Sequence, residues 1–197
     1  LDALKNLAEL RKNNKNKALL ISATGTGKTF LSAFDAQKIN ANKLLFVVHR
    51  ENIARSAMNA FRKIFGGKRT YGLFTGNKKE LESDFVFSTI QSISKSESLD
   101  QFSPEYFDYI VIDESHRAGA KSYHSVLNYF RPKFLLGMTA TPERTDGEDI
   151  FSLYDHNIAY EIRLQKALEE NLLSPFHYFG VTDLLVNGNE ISEVTEF

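Results

Sequence analysis

Lys28 and Thr29 close a glycine-rich stretch, Ala23-Thr24-Gly25-Thr26-Gly27-Lys28-Thr29, and Asp113 and Glu114 follow the apolar run Tyr109-Ile110-Val111-Ile112. The first group suits an anion rich in oxygen. Its glycines let the backbone take dihedrals closed to other residues and bring amides close to a phosphate. Lys28 then adds charge against the β- and γ-phosphates, and the Thr29 hydroxyl offers a hard ligand to Mg²⁺. The second group supplies a carboxylate for the same cation, Asp113, and one able to orient and deprotonate water, Glu114. Together they describe Mg²⁺-dependent hydrolysis of a nucleoside triphosphate.

Such groups need rigid elements beneath them. Ala18 to Ile21 is a short apolar run suited to a buried parallel strand, and Phe30, Leu31, Phe34 and Ile39 recur as in a helix. Strand, glycine-rich loop, Lys-Thr and helix form the context a phosphate loop requires. The usual G-x-x-x-x-G-K-[ST] pattern is altered here. Ser22 holds the first glycine position, so the match is to an A-x-G-x-G-K-T form led by Ala23.

The remaining chain alternates strand and helix patterns. Apolar residues on one helical face mark Leu1 to Arg11, and Lys43 to Val48 reads as a second buried strand with His49-Arg50 at its end. Glu51 to Phe65 predicts a helix stopped by Gly66-Gly67. Strands are predicted over 71–74, 84–89, 108–113 and 133–140, a helix over 123–130, and one helical turn over 104–107. Residues 94–100 read as loop. Beyond Pro142 the pattern predicts a charged turn over 143–148, a short helix over 150–154 and a strand over 158–162. An amphipathic helix over 163–173, a strand over 175–181 and a poorly ordered acidic tail over 182–197 complete the reading. Regular alternation implies right-handed crossovers and an α/β fold, a mostly parallel sheet with helices on both faces.

With 197 residues the chain suffices for one such domain and an appendage. Lys plus Arg number 24 against 25 Asp plus Glu, so no whole-domain basic signature is present, although a local basic groove is compatible with this balance. The absence of cysteine excludes disulfides and thiolate chemistry and fits a reducing, cytoplasmic setting. No apolar run approaches the roughly 20 residues of a membrane span, so no membrane partner is expected. The first residue is Leu1, inside an amphipathic pattern, and the chain is expected to be part of a longer protein.

Ala23 to Thr29, Asp113-Glu114-Ser115-His116 and Thr139-Ala140-Thr141-Pro142, in this order, resemble motifs I, II and III of the DExH branch of superfamily 2 helicases. In detail the chain resembles the ATP-binding domain of restriction-enzyme motor subunits and DNA-repair helicases. The resemblance implies a three-layer RecA-like P-loop domain that binds ATP and Mg²⁺. It implies that Lys28 and Thr29 hold phosphate and metal, Asp113 holds Mg²⁺ and Glu114 is the base. His116 would face the nucleotide and a second RecA-like domain of the same parent chain, and Thr139 and Thr141 would couple hydrolysis to movement. His49, Arg50, Thr75, Gly76, Thr89 and Gln91 would face the nucleic-acid strand, DNA rather than RNA. His124, His156 and His177 match no motif and read as structural or solvated.

On this reading residues 1–160 form the RecA-like domain, and 161–197 lead toward a second motor domain. That second domain would carry the arginine finger, so this chain alone is expected to bind nucleotide and hydrolyse it weakly. A motor subunit translocating duplex without separating strands is one alternative. A nucleotide-gated sensor with low turnover is another.

Overall fold

The computed structural model describes residues 2–76, 78–115, 121–142, 150–163, 167, 184–186 and 189–191. Strands β1 (Lys17–Ser22), β2 (Leu44–Val48), β3 (Tyr71–Thr75), β4 (Lys78–Lys79), β5 (Phe85–Thr89), β6 (Tyr109–Asp113), β7 (Phe134–Thr139) and β8 (Ile158–Ile162) form an eight-stranded sheet. Their order is β4-β3-β5-β2-β6-β7-β1-β8. Every neighbouring pair is parallel except β3 with β4.

Side chains alternate across a strand, so each buried strand feeds two cores. Leu20, Phe46, Phe87, Val111 and Leu136 point to one face. There they meet Leu7 of α1 (Asp2–Lys12), Ala33 of α2 (Lys28–Lys38) and Phe61 of α3 (Glu51–Phe65). Leu19, Leu45, Val86 and Ile112 point to the other. They pack against α4 (Ile90–Ile93), α5 (Ser96–Leu99), α6 (Lys121–Tyr129) and α7 (Ile150–Leu153) through Ile93, Leu99, Val126 and Ile150. The result is the three-layer α/β arrangement that the alternating pattern predicts.

The first core is aromatic. Phe61 presents its ring edge-on to Phe46 and Phe87, at centroid distances of 5.6 and 5.3 Å. Such pairs add about 0.5–1.5 kcal/mol each beyond area burial. A charge is buried beside this core. Arg11 of α1 donates to both carboxylate oxygens of Asp35 on α2, at 2.6 and 2.8 Å, and the Tyr109 hydroxyl of β6 donates to the same carboxylate at 2.8 Å. Three elements are thereby joined around one wholly buried anion.

Four local expectations change. Residues 104–107 make a single turn, closed by Tyr106 N–H to Ser103 C=O at 3.0 Å, and not a helical one. Within the predicted loop 94–100, Ser96–Leu99 is helical, because burial of Leu99 draws the segment onto the sheet. β3 runs on through Thr75, one residue past the predicted strand over 71–74, and Lys78–Lys79 folds back on it. In the tail, β9 (Leu184–Val186) and β10 (Asn189–Ile191) pair antiparallel. The Asn187-Gly188 dipeptide between them is a hairpin signal that a reading by overall polarity passes over.

The predicted turn over 143–148 and strand over 175–181 lie outside the described residues, as does the helix over 163–173 apart from Arg163 and Ala167. The Ala167 amide donates to the Arg163 carbonyl at 2.9 Å. Ala167 packs with Ala23 and Ile162. No helix among the described residues is long and apolar enough to cross a membrane.

Candidate active site

The C-terminal ends of β1, β7 and β6 lie side by side, and each delivers one of the sequence motifs. Ile21 pairs with Thr139, and Met138 with Asp113. The glycine-rich loop, the Thr139-Ala140-Thr141 turn and the acidic pair therefore share one sheet edge, where open α/β sheets gather ligands.

The loop runs from Ala23 to Gly27, and α2 begins at Lys28. Gly25 and Gly27 have φ of 88° and 85°, left-handed values at which a side chain would be strained. Space is not the reason at Gly27, where an added Cβ meets nothing within 4 Å. Ser22 Oγ and Thr26 Oγ1 lie 2.5 Å apart, and Thr26 Oγ1 donates to Ala23 C=O at 2.7 Å. The residue standing in the usual first glycine position thus helps to close the loop on itself.

Lys28 folds back under the loop. Its ammonium donates to the carbonyls of Ser22 at 2.7 Å and Ala23 at 3.1 Å. Burial lowers its pKa, opposed by the negative charge of Asp113 and then of Glu114. Lys28 is thereby placed in the field of both carboxylates. Burial is also the main cause that pushes Asp113 up to about 6, with Glu114 adding to it; the Glu114 amide and Lys28 pull the other way. Glu114 itself has φ 55°, and its amide donates to Asp113 Oδ1 at 3.0 Å. Thr139 is fully buried. Its hydroxyl donates to Thr141 C=O at 3.0 Å and accepts from Thr141 N–H at 3.2 Å, leaving Thr141 exposed at the tip of the turn.

A cavity of about 180 Å³ opens beside the loop, bounded by Asp2, Ser22, Thr26, Lys28, Leu31 and Tyr160. Larger hollows, of about 770 and 340 Å³, lie elsewhere. One is beside Thr70, Glu80 and Tyr106, the other at the opposite sheet edge beside Lys17 and Arg131.

The ends of β2, β5 and β3 continue the same edge beyond β6. They carry the other predicted residues, which the structure brings together as a row. Arg50, Gly76 and Gln91 are exposed, and His49 is half-buried. Thr75 and Thr89 are buried, with Thr89 Oγ1 2.9 Å from Ser92 Oγ. Sequence reasoning passed over Lys78 and Lys79, two exposed cations that extend this row; their position one residue after Thr75-Gly76 was the available signal. His116 lies outside the described residues.

No group of three or more His, Asp or Glu among the described residues is arranged to hold a metal ion. The donor set expected from the sequence is instead hydroxyl plus carboxylate, Thr29 and Asp113. That fits Mg²⁺, which keeps several waters and takes few protein ligands when a substrate phosphate supplies the rest. A buried carboxylate that holds its proton this tightly is also one that a cation would relieve.

Residues 1–144 match the family model described as type III restriction enzyme, res subunit. The chain is similar to the type I restriction enzyme EcoAI endonuclease subunit of Escherichia coli, 30% identical over 188 residues, covering 89% of this chain and 23% of that one. Among solved structures it resembles a nuclease-deletion mutant of the Type ISP restriction-modification enzyme LlaGI in complex with a DNA substrate mimic. That match has a TM-score of 0.65 and 22% identity, covering 86% of this chain and 20% of the other. It also resembles the Pyrococcus furiosus Hef helicase domain, with a TM-score of 0.63 and 21% identity, covering 79% and 36%. This chain thus spans about a quarter of the curated relative's length.

Proposed function

The chain belongs to the type III restriction enzyme res subunit family and has the N-terminal RecA-like fold of superfamily 2 helicases, and we propose that it is the first motor domain of an ATP-driven translocase or helicase. The observation that carries this is the single edge on which β1, β7 and β6 present the phosphate loop, the Thr-Ala-Thr turn and the Asp113-Glu114 pair. Residues 1–160 would form this domain and 161–197 the path toward a second one.

The roles follow from the chemistry of the groups. Amides of Gly25 to Thr29 and the Lys28 ammonium would take the phosphates, Lys28 exchanging its bonds to Ser22 and Ala23 for phosphate oxygens. Ala23, Thr24 and Thr26 shape that loop. The cavity beside Tyr160 would receive the nucleoside end. Thr29 and Asp113 would hold Mg²⁺, whose charge neutralises the oxygens of the transferring phosphoryl group. Glu114 would accept the proton of the attacking water, and His116 would respond to the nucleotide and the second domain. Thr139 and Thr141, joined by two hydrogen bonds, would pass the change at the nucleotide to the neighbouring row of strand ends. There Arg50, Gln91, Gly76 and His49 would meet the strand backbone, with Thr75 and Thr89 shaping the surface.

We favour translocation along duplex DNA; the similarity to two restriction enzymes, one of them in complex with a DNA substrate mimic, supports a DNA track. Lys28 and Glu114 are both present in the sequence, which speaks against a sensor with little turnover.

The test is steady-state ATP hydrolysis by the full-length chain with Mg²⁺, alone and with single-stranded DNA, duplex DNA or RNA, beside Glu114→Gln. Stimulation by duplex DNA, abolished in Glu114→Gln, is expected. Tight nucleotide binding with little turnover on any polymer would overturn the motor reading.

A further inference from the structure

Glu114 occupies the left-handed region at φ 55°, where a non-glycine residue is strained. The backbone persists there only if its surroundings fix it. The next residue, Ser115, is fully buried, and its hydroxyl donates to the Ile112 carbonyl at 2.9 Å, closing the turn that carries Glu114. Ser115 Oγ in turn accepts a hydrogen bond from the Tyr154 hydroxyl at 3.2 Å, from a residue 39 positions away.

Tyr154 is also fully buried and immediately follows α7. Its ring lies over Gly137 of β7, where an added Cβ would stand 2.3 Å from Tyr154 Cζ. Gly137 pairs in register with Ile112, the residue whose carbonyl takes the Ser115 hydroxyl. Two positions along β7 is Thr139, the first residue of the Thr-Ala-Thr turn. The ring thus fixes Tyr154 against the strand leading to that turn, and the hydroxyl reaches the turn that bears Glu114.

We propose that Tyr154 is a positioning residue for ATP hydrolysis, holding Glu114 in its left-handed conformation through the Ser115 hydroxyl; this rests on the motor reading above. Burial raises the pKa of the Tyr154 hydroxyl, which therefore remains a proton donor across the working pH range. Sequence patterns give no hint of this link. Tyr154 reads simply as the last apolar residue of a short helix.

The experiment compares Tyr154→Phe, Ser115→Ala and the double variant in the full-length chain, measuring kcat and KM for nucleic-acid-stimulated ATP hydrolysis and the melting temperature. Tyr154→Phe keeps the ring on Gly137 and removes only the hydroxyl. It is expected to lower kcat about tenfold with KM for ATP within about twofold of wild type, since small misplacements of a catalytic group act on the chemical step. Ser115→Ala should reproduce that loss, and the double variant should lose no more than either single. Wild-type kcat in Tyr154→Phe overturns the proposal, and so do single losses that multiply in the double variant or a fall in kcat that tracks melting temperature. If Tyr154→Phe does not fold, Ser115→Ala alone carries the test by the same split of kcat from KM. Absence of turnover in the wild-type chain overturns the motor reading itself, and this assignment with it.

Discussion

The amide of Glu114 donates to the Asp113 carboxylate at 3.0 Å, so the two acids of the site are locked to one another by the backbone and not merely adjacent. Even with that bond, burial and the charge of Glu114 hold Asp113 up at about 6. A carboxyl raised in the fold binds its proton more tightly there than in the unfolded chain. Its contribution to stability is therefore complete below the unfolded value of 3.8 and is lost as pH rises through about 6. In EDTA, Asp113→Asn is expected to be more stable than wild type at neutral pH by on the order of 3 kcal/mol, and equal to it near pH 4. Urea denaturation at both pH values checks this. Added Mg²⁺ should stabilise wild type alone.

The Arg11–Asp35 pair predicts a large structural penalty far from the chemistry. Asp35 is wholly buried, and Arg11 is the cation bound to both its oxygens. Arg11→Met leaves the carboxylate without its cation and should cost about 3–5 kcal/mol in urea denaturation. Tyr109→Phe, which removes a single bond to the same anion, should cost about 1.5–3 kcal/mol. Near-wild-type stability for Arg11→Met would show that the pair is not anchoring α1.

Gly137→Ala places a methyl 2.3 Å from the Tyr154 ring, a separation that neither β7 nor the ring can accept without moving. A loss of about 1–3 kcal/mol is expected, read as a lowered melting temperature. Replacing Tyr154 with Leu in the same chain should recover part of it, because the smaller side chain frees the contact. Failure of that recovery would place the strain elsewhere.

Asp84 clamps the beginnings of β3 and β5. It accepts from the Thr70 amide at 3.0 Å and from the Lys43 ammonium at 3.1 Å. The Thr70 amide is the main cause that holds its pKa below the ordinary 3.8. A lowered carboxyl stabilises the fold above its unfolded value and loses that effect as pH falls through the folded one. Asp84→Asn should therefore be less stable than wild type at pH 7, by no more than about 1 kcal/mol for so exposed a group, and indistinguishable from it at pH 2. Thermal unfolding across that range checks it.

The local structure of the candidate site was legible in the residues. The glycine-rich loop, the strand ending in Asp113 and the Thr-Ala-Thr turn each depend on short-range patterns: apolar runs, glycine placement and a cation after a turn. The helices bounded by Gly27 and Gly66 follow in the same way, since left-handed glycines mark both boundaries.

What the sequence by itself determined, then, was the kind of each element and the groups it carries. Tertiary structure alone decided which groups meet. Strand order sets β7 between β1 and β6, so Thr139 stands between the loop and the acids. Packing brings Tyr154 to Ser115 and Arg11 to Asp35, contacts made across 39 and 24 residues of chain. Neither pair leaves a periodic trace, because a buried hydrogen bond depends on where two elements cross and not on the spacing within either. The same reason explains Lys78–Lys79, whose extended form comes from the open edge of β3 and not from any propensity of two lysines for a strand.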